Sequence, residues 1–271
     1  MIRYISQGTS EMVALSIGLL VSYLPYFIKN NFGSQDKSDW EKRKLTTSQF
    51  VSFVLIILFF NVVSYFFISG IDNSFNTLGY TIFKVGPRVT DIYDTLSLFI
   101  YSLILAPIFE ELIYRDFILK RLRRYGEVFA IVISSLLFGL IHGNISQFIS
   151  SFLLGIVLGY VYIITNSVKT TIFLHLVNNA YVTIYNELLF RNVKEIGFYQ
   201  VILIVELVIS VFLLIYALWN LRKDSNMHLK TNLKSPNTNS NYRLYFYRIT
   251  TILVFISFAV IMILSINKIG V

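Results

Sequence analysis

Long, continuously apolar runs settle the solvent of this chain before any motif is read. Eight stretches approach the roughly 20 helical residues needed to cross a hydrocarbon core of about 30 Å. They are 11–28, 50–70, 94–119, 127–145, 147–165, 169–190, 197–221 and 247–267. The runs do not alternate, which excludes a closed β-barrel and leaves transmembrane helices. Charged residues make up 14% of the chain, against about 25% in soluble domains. With a mean hydropathy of +0.66, there is too much apolar surface for one water-solvated core. The expected fold is an all-α polytopic membrane protein of about eight transmembrane helices.

The first run, Met12 to Ile28, lacks the basic n-region and small-residue cleavage site of a signal peptide and reads as a retained span. Cysteine is absent, so neither disulfides nor thiolate metal sites are available. The net charge of +8 does not point to nucleic acid, because the basic residues cluster between apolar runs, as membrane topology requires.

Lys29, Lys37, Lys42, Arg43 and Lys44 fall in the first connection. Lys120, Arg121, Arg123 and Arg124 fall in the third, and Arg222, Lys223, Lys230, Lys234 and Arg243 in the seventh. Odd connections share one side of the membrane, so the positive-inside rule makes that side cytoplasmic and puts both termini outside. The segment 71–93, with Asp72, Asn73, Lys84 and Arg88, reads as a loop or short interfacial element, and 222–245 as a polar cytoplasmic linker. The expected division is an N-terminal pair of spans with its polar connection (1–93), a central core (94–190) and a C-terminal pair (191–271). Abundant Ile, Asn, Lys, Phe and Tyr hint at an AT-rich bacterial genome, hence a bacterial cell membrane.

Ionisable groups inside apolar helices are costly and face the bundle interior, a water cavity or each other. Here they cluster. Span three holds Pro107 followed by Glu110, Glu111, Arg115 and Asp116; span four holds Phe138 and His142; span six holds His175, Asn178 and Asn179. Glu111 and Arg115, Phe138 and His142, and His175 and Asn179 are each i,i+4 pairs that share a helix face. Pro107 deprives the Leu103 carbonyl of its partner and is expected to bend the helix just before the glutamates, opening a pocket. At 1.5 Å per residue, Glu110 lies about 21 Å from Arg124 and His142 about 22 Å from Glu127, one common depth. His175 lies only about 9 Å beyond Lys169, so span six must start deeper or tilt.

Such a cluster suits hydrolysis. A glutamate near histidine in a low-dielectric cavity can act as a general base on water. A histidine and an asparagine on another helix can hydrogen-bond a developing oxyanion. Two histidines and a carboxylate can instead bind zinc and acidify its water. Both routes draw on Glu110, His142 and His175, and spacing does not separate them.

Glu110-Glu111-x-x-x-Arg115, Phe138-x-x-x-His142 and His175-x-x-x-Asn179, in that order and in separate spans, resemble the three motifs of the CPBP intramembrane proteases. This family, also called Abi, includes type II CAAX prenyl proteases and bacteriocin-processing or immunity relatives. The resemblance covers roughly 94–190 and implies a central catalytic core of four helices. It implies that Glu110 with His142 activates the attacking water and that His175 and Asn179 stabilise the oxyanion, unless His175 joins a metal site. Glu111 and Arg115 would orient the site as a buried pair. The implied partner is a membrane-associated peptide or protein substrate; in a bacterium a bacteriocin or signalling precursor, or immunity to one, fits better than a prenylated protein.

Other features read as structural. Gly155-x-x-x-Gly159 fits close helix packing, Asp116 the cytoplasmic end of the helix network, and Trp40 and Trp219 interfacial anchoring. Glu206 is an isolated intramembrane acid that lines a cavity or a partner contact. Two other functions are open to the same scaffold. One is a non-catalytic regulator that binds a membrane partner such as a sensor kinase. The other is a proton-relay transporter, disfavoured by the lack of repeats and of paired broken helices.

Overall fold

The computed structural model describes residues 42–83, 92–185, 196–229 and 249–268. The expected span 11–28, Trp40 and most of the 222–245 linker lie outside the described residues. Each of the other seven expected spans is mainly helical where it is described. In chain order these are α1 (Thr47–Asn76), α2 (from Ile92–Phe99 onward), α3 (Glu127–Leu140), α4 (Ile145–Thr165), α5 (Val168–Tyr185), α6 (Ile196–Arg222) and α7 (Ile249–Leu264). Four segments are long and apolar enough to cross a bilayer: Thr47–Asn76, Thr95–Tyr125, Ile145–Thr165 and Val201–Arg222. Large side chains such as Ile204, Val208, Phe212, Ile215 and Trp219 stand exposed along α6. An apolar face of that extent is a surface for lipid rather than water. These helices fit an integral membrane protein.

Polar contacts tie one end of the bundle together. Thr46 caps α1 by accepting from the Gln49 amide while Gln49 Oε1 accepts from the Thr46 amide, a reciprocal capping box. Gln49 also donates to Asp224 just past α6, which pairs with Arg43 as well. The Arg43 amide donates to the Thr165 carbonyl at the end of α4, and Tyr160 donates to the Met227 carbonyl. Arg43 of the first basic connection and the start of the seventh connection therefore meet at one end. At the α7 end, Asn267–Lys268 pairs antiparallel with Tyr80–Thr81, Tyr80 opposite Lys268.

Two segments differ from the sequence expectation. Asp72 and Asn73 were expected in a loop, but α1 runs through them to Asn76. The helix tolerates Asp72 because its carboxylate accepts from Asn76, from the Thr81 hydroxyl and from the Ile82 amide, which also anchors the short strand. The fourth span was expected to run to 145, but α3 stops at Leu140. Gly143 follows with φ of +64°, in the left-handed region that glycine reaches without strain. Asn144 then caps α4 by accepting from the Gln147 amide. At 14 residues, α3 is about 21 Å long, so His142 lies in the turn beyond it.

Small residues let α3 and α4 approach. A Cβ on Gly155 would meet the Ser135 Cβ at 3.0 Å, and one on Gly159 would meet Ile131 and Leu119 at 3.3 Å. The close-packing role read from the Gly155/Gly159 spacing is what these contacts describe. Beneath this seam, buried Leu119, Ala130, Ile131 and Tyr162 form one apolar cluster, and Phe138, Leu158, Val161 and Leu174 belong to another.

Candidate active site

The helix that carries the glutamates is irregular where they sit. A π-helical stretch, Ile100–Leu105, leads into six α-helical residues, Ala106–Glu111, and a second π-helical stretch, Leu112–Leu119, follows. Pro107 opens the α-helical piece, where its missing N–H is tolerated. The bend expected at Pro107 thus takes the form of widened turns on both sides of the glutamates, a distortion common at functional sites. The depth mismatch read from the sequence is absent, since His175 Nε2 lies 3.6 Å from Glu110 Oε2.

Glu110 and Glu111 are adjacent in sequence and sit in different surroundings. Glu111 and Arg115 are both fully buried, with Glu111 Oε2 at 3.1 Å from Arg115 Nε. Glu111 Oε1 lies 3.1 Å from His175 Nδ1 and accepts a hydrogen bond from it. Arg115 donates to the Ser134 hydroxyl at 3.0 Å, and Ser134 donates to the Tyr114 carbonyl. Glu110, by contrast, is 19% exposed and has Oε2 at 3.6 Å from His175 Nε2. Motifs one and three therefore converge on one imidazole, held by a buried carboxylate on one nitrogen and facing an accessible one on the other.

Phe138 organises the second motif. Its ring lies edge to face with His142 at 5.4 Å and with His175 at 5.6 Å between centroids. The Arg115 guanidinium sits 5.1 Å from the same ring centre, within cation–π range. The two histidines thus flank one phenyl ring. His142 Nδ1 donates to the Phe138 carbonyl at 2.9 Å, which leaves Nε2 as an acceptor toward the Ser151 hydroxyl at 3.3 Å. His142 makes no hydrogen bond or ion pair with Glu110.

Asn179 is anchored on two sides. One of its Nδ2 hydrogens goes to the Ser102 carbonyl at 2.7 Å, and its Oδ1 accepts from Asn178. Asn178 in turn accepts from Asn61 of α1 at 2.8 Å. An amide nitrogen carries two hydrogens, so the second stays available once the side chain is fixed.

Sequence reasoning named Glu110, Glu111, Arg115, His142, His175 and Asn179. The structure brings the first three and His175 into direct contact, sets His142 across Phe138, and tethers Asn179 one turn beyond His175. It missed Ser134, Ser151 and Asn61. Ser134 had a signal, since it precedes Phe138 by one helical turn; the other two are contacts between helices that no spacing encodes. Asp116 accepts from Tyr162 at 3.4 Å, in keeping with a structural role. Among the described residues no three histidine or carboxylate side chains converge closely enough to hold a metal ion, whereas zinc takes three or more protein donors. The donor set of the described residues does not fit zinc in this arrangement.

Comparison with known proteins adds a second line. A family described as Type II CAAX prenyl endopeptidase Rce1-like matches residues 93–181, the stretch that holds all three motifs. The resemblance to the CPBP proteases is borne out. The chain is also 29% identical over 127 residues to the "Putative membrane peptidase YdiL" of Bacillus subtilis, covering 44% of this chain. The chain spans about half the length of that relative, 52%. No solved structure matches it.

Proposed function

We propose that this protein is an intramembrane endopeptidase that hydrolyses a peptide bond of a membrane-associated substrate with water activated by side chains. The observation that carries the proposal is the His175 imidazole held between Glu111 at 3.1 Å and Glu110 at 3.6 Å. The Rce1-like match over 93–181 supports the same reaction class.

Charge balance assigns the roles. An uncompensated charge is costly inside an apolar bundle. Glu110 and Glu111 face the two nitrogens of His175, and Glu111 also faces Arg115, which places both imidazole nitrogens to donate. His175 then offers Nε2–H, with the spare hydrogen of Asn179 one helical turn away, as a pair of oxyanion donors. His142 has neutral partners only and keeps a lone pair on Nε2. A hydroxyl contact of 3.3 Å is long for an O–H donor, so a water molecule can displace Ser151 there.

The reaction then balances. Water donates one hydrogen bond to His142 Nε2 and gives its other proton to Glu110 as its oxygen bonds to the substrate carbonyl carbon. The oxyanion that forms is met by His175 and Asn179. Glu110 passes its proton to the leaving nitrogen as the C–N bond breaks and the carbonyl reforms. The division 1–93, 94–190 and 191–271 fits a catalytic core of four helices flanked by paired spans, within a layout of eight with both termini outside the cytoplasm. In a bacterial membrane, small precursors such as bacteriocins or signalling peptides, or immunity to them, suit such a site.

The test is cleavage of membrane-inserted peptides by the purified protein in lipid nanodiscs, with products mapped by mass spectrometry. Wild type is expected to cut, and Glu110→Gln and His175→Ala to lose the activity while staying folded. Cleavage at the wild-type rate by both variants would contradict the proposal. A biological phenotype that survives both substitutions would favour the non-catalytic regulator instead.

A further inference from the structure

A cavity of about 140 Å³ lies between α1, α5 and α6, with the start of α4 at its edge. Asn61, Ser64, Tyr65, Ser150, Tyr181, Tyr185 and Glu206 supply its polar lining. It adjoins the candidate site twice. Asn61 donates to Asn178, which holds Asn179, and Ser150 precedes the Ser151 that faces His142. On α5, His175, Asn178, Tyr181 and Tyr185 follow at intervals of three and four residues and form one stripe, so the cavity continues the face that carries the third motif.

Glu206 differs from the other intramembrane carboxylates of the site. Its oxygens accept from the Tyr185 hydroxyl at 2.9 Å and the Tyr181 hydroxyl at 3.4 Å. Among the described residues no lysine, arginine or histidine pairs with it. Two phenols stabilise a carboxylate without cancelling its charge, and an unbalanced charge inside an apolar bundle favours a cation in the adjoining space.

We infer that this cavity is a substrate subsite for a basic side chain, with Glu206 as its counter-ion and Tyr181 and Tyr185 holding the carboxylate in place. The inference rests on the hydrolase reading and names the substrate class: a membrane-associated peptide carrying a lysine or arginine near the cut. Tyr185 lies about 9 Å beyond Asn179 along α5. An extended chain covers roughly 3.3–3.6 Å per residue, so the basic residue falls two or three positions from the bond that is broken.

Binding is measured separately from cleavage, using the full chain with Glu110→Gln in nanodiscs. The probes are leucine–alanine membrane peptides with a single lysine stepped along the sequence, each compared with the same peptide carrying norleucine. At one register the lysine peptide is expected to bind at least about tenfold more tightly. Adding Glu206→Gln should abolish that preference and leave norleucine binding unchanged, and Glu206→Lys should shift it toward a glutamate peptide at the same register. If Glu206→Gln binds neither peptide, Tyr185→Phe supplies the reading, with a smaller fall in the lysine preference alone. No lysine preference in the parent, or one that survives both substitutions, overturns the subsite. Cleavage by wild type without the preference sinks only the subsite; the preference without cleavage sinks only the hydrolase reading.

Discussion

His142 and His175 flank the same phenyl ring at nearly the same distance, 5.4 and 5.6 Å, and are held in opposite ways. Carboxylates face both nitrogens of His175, and its side chain is almost wholly buried. A backbone carbonyl and a serine hydroxyl face His142, which sits in a turn at the end of a short helix. One imidazole is placed to donate, the other to accept. Shared packing fixes where two identical side chains stand, and the charges around each decide what it can do.

The sharpest way to break this contrast is to remove the proposed base and the proposed donors separately. Glu110→Gln is expected to lower kcat by about 10²–10⁴, the usual contribution of a general base. His175→Ala and Asn179→Ala each remove a proposed oxyanion donor and should cost about 10²–10³. These losses should appear in single-turnover rates, with binding of the membrane peptide retained. If Asn179→Ala alone were silent, the donor pairing would fail.

Stability separates the surroundings of the two histidines next. Arg115→Met leaves Glu111 buried without its cation and should cost about 3–5 kcal/mol, read from SDS or urea titration in mild detergent. Adding Glu111→Gln should recover part of that loss. By comparison His142→Ala, whose partners are a carbonyl and a distant hydroxyl, should cost about 1 kcal/mol while still impairing cleavage. Equal destabilisation by Arg115→Met and His142→Ala would erase the contrast.

Two smaller effects sharpen the frame around the ring. Gly155→Leu pushes a side chain into Ser135 and Phe138 and should cost about 1–3 kcal/mol as overpacking. Ser151→Ala should change cleavage by less than about tenfold, since the bond it removes is long and is displaced when water binds. A larger loss in Ser151→Ala would make the hydroxyl a participant.

The Glu111–Arg115 contact was legible because i,i+4 spacing on one helix sets which side chains meet. The division of labour between Glu110 and Glu111 was not legible. Adjacent residues point about 100° apart on a helix, and only the position of α5 shows which one meets Nδ1. The turn at His142 left a signal in Gly143 and in Asn144 with Gln147 at the N3 position, beneath a run apolar enough to read as continuous helix. The π-helical stretches left little signal beyond Pro107, because a widened turn is set by packing against neighbouring helices. Glu206 was visible as an acid in the wrong solvent, while its tyrosine partners and its cavity depend on where α5 and α6 meet.

The central claim is that Glu110 acts on the same centre as a carboxylate-held His175 that donates from both nitrogens, with His142 accepting at Nε2 across the ring. Nitrogen NMR of ¹⁵N-histidine-labelled protein in nanodiscs at neutral pH reads the protons on each ring directly. The account expects His175 to carry protons on both nitrogens and His142 on Nδ1 only, with Glu110→Gln perturbing the His175 Nε2 signal. A neutral His175 whose Nε2 signal is unmoved by Glu110→Gln, or a doubly protonated His142, would contradict it.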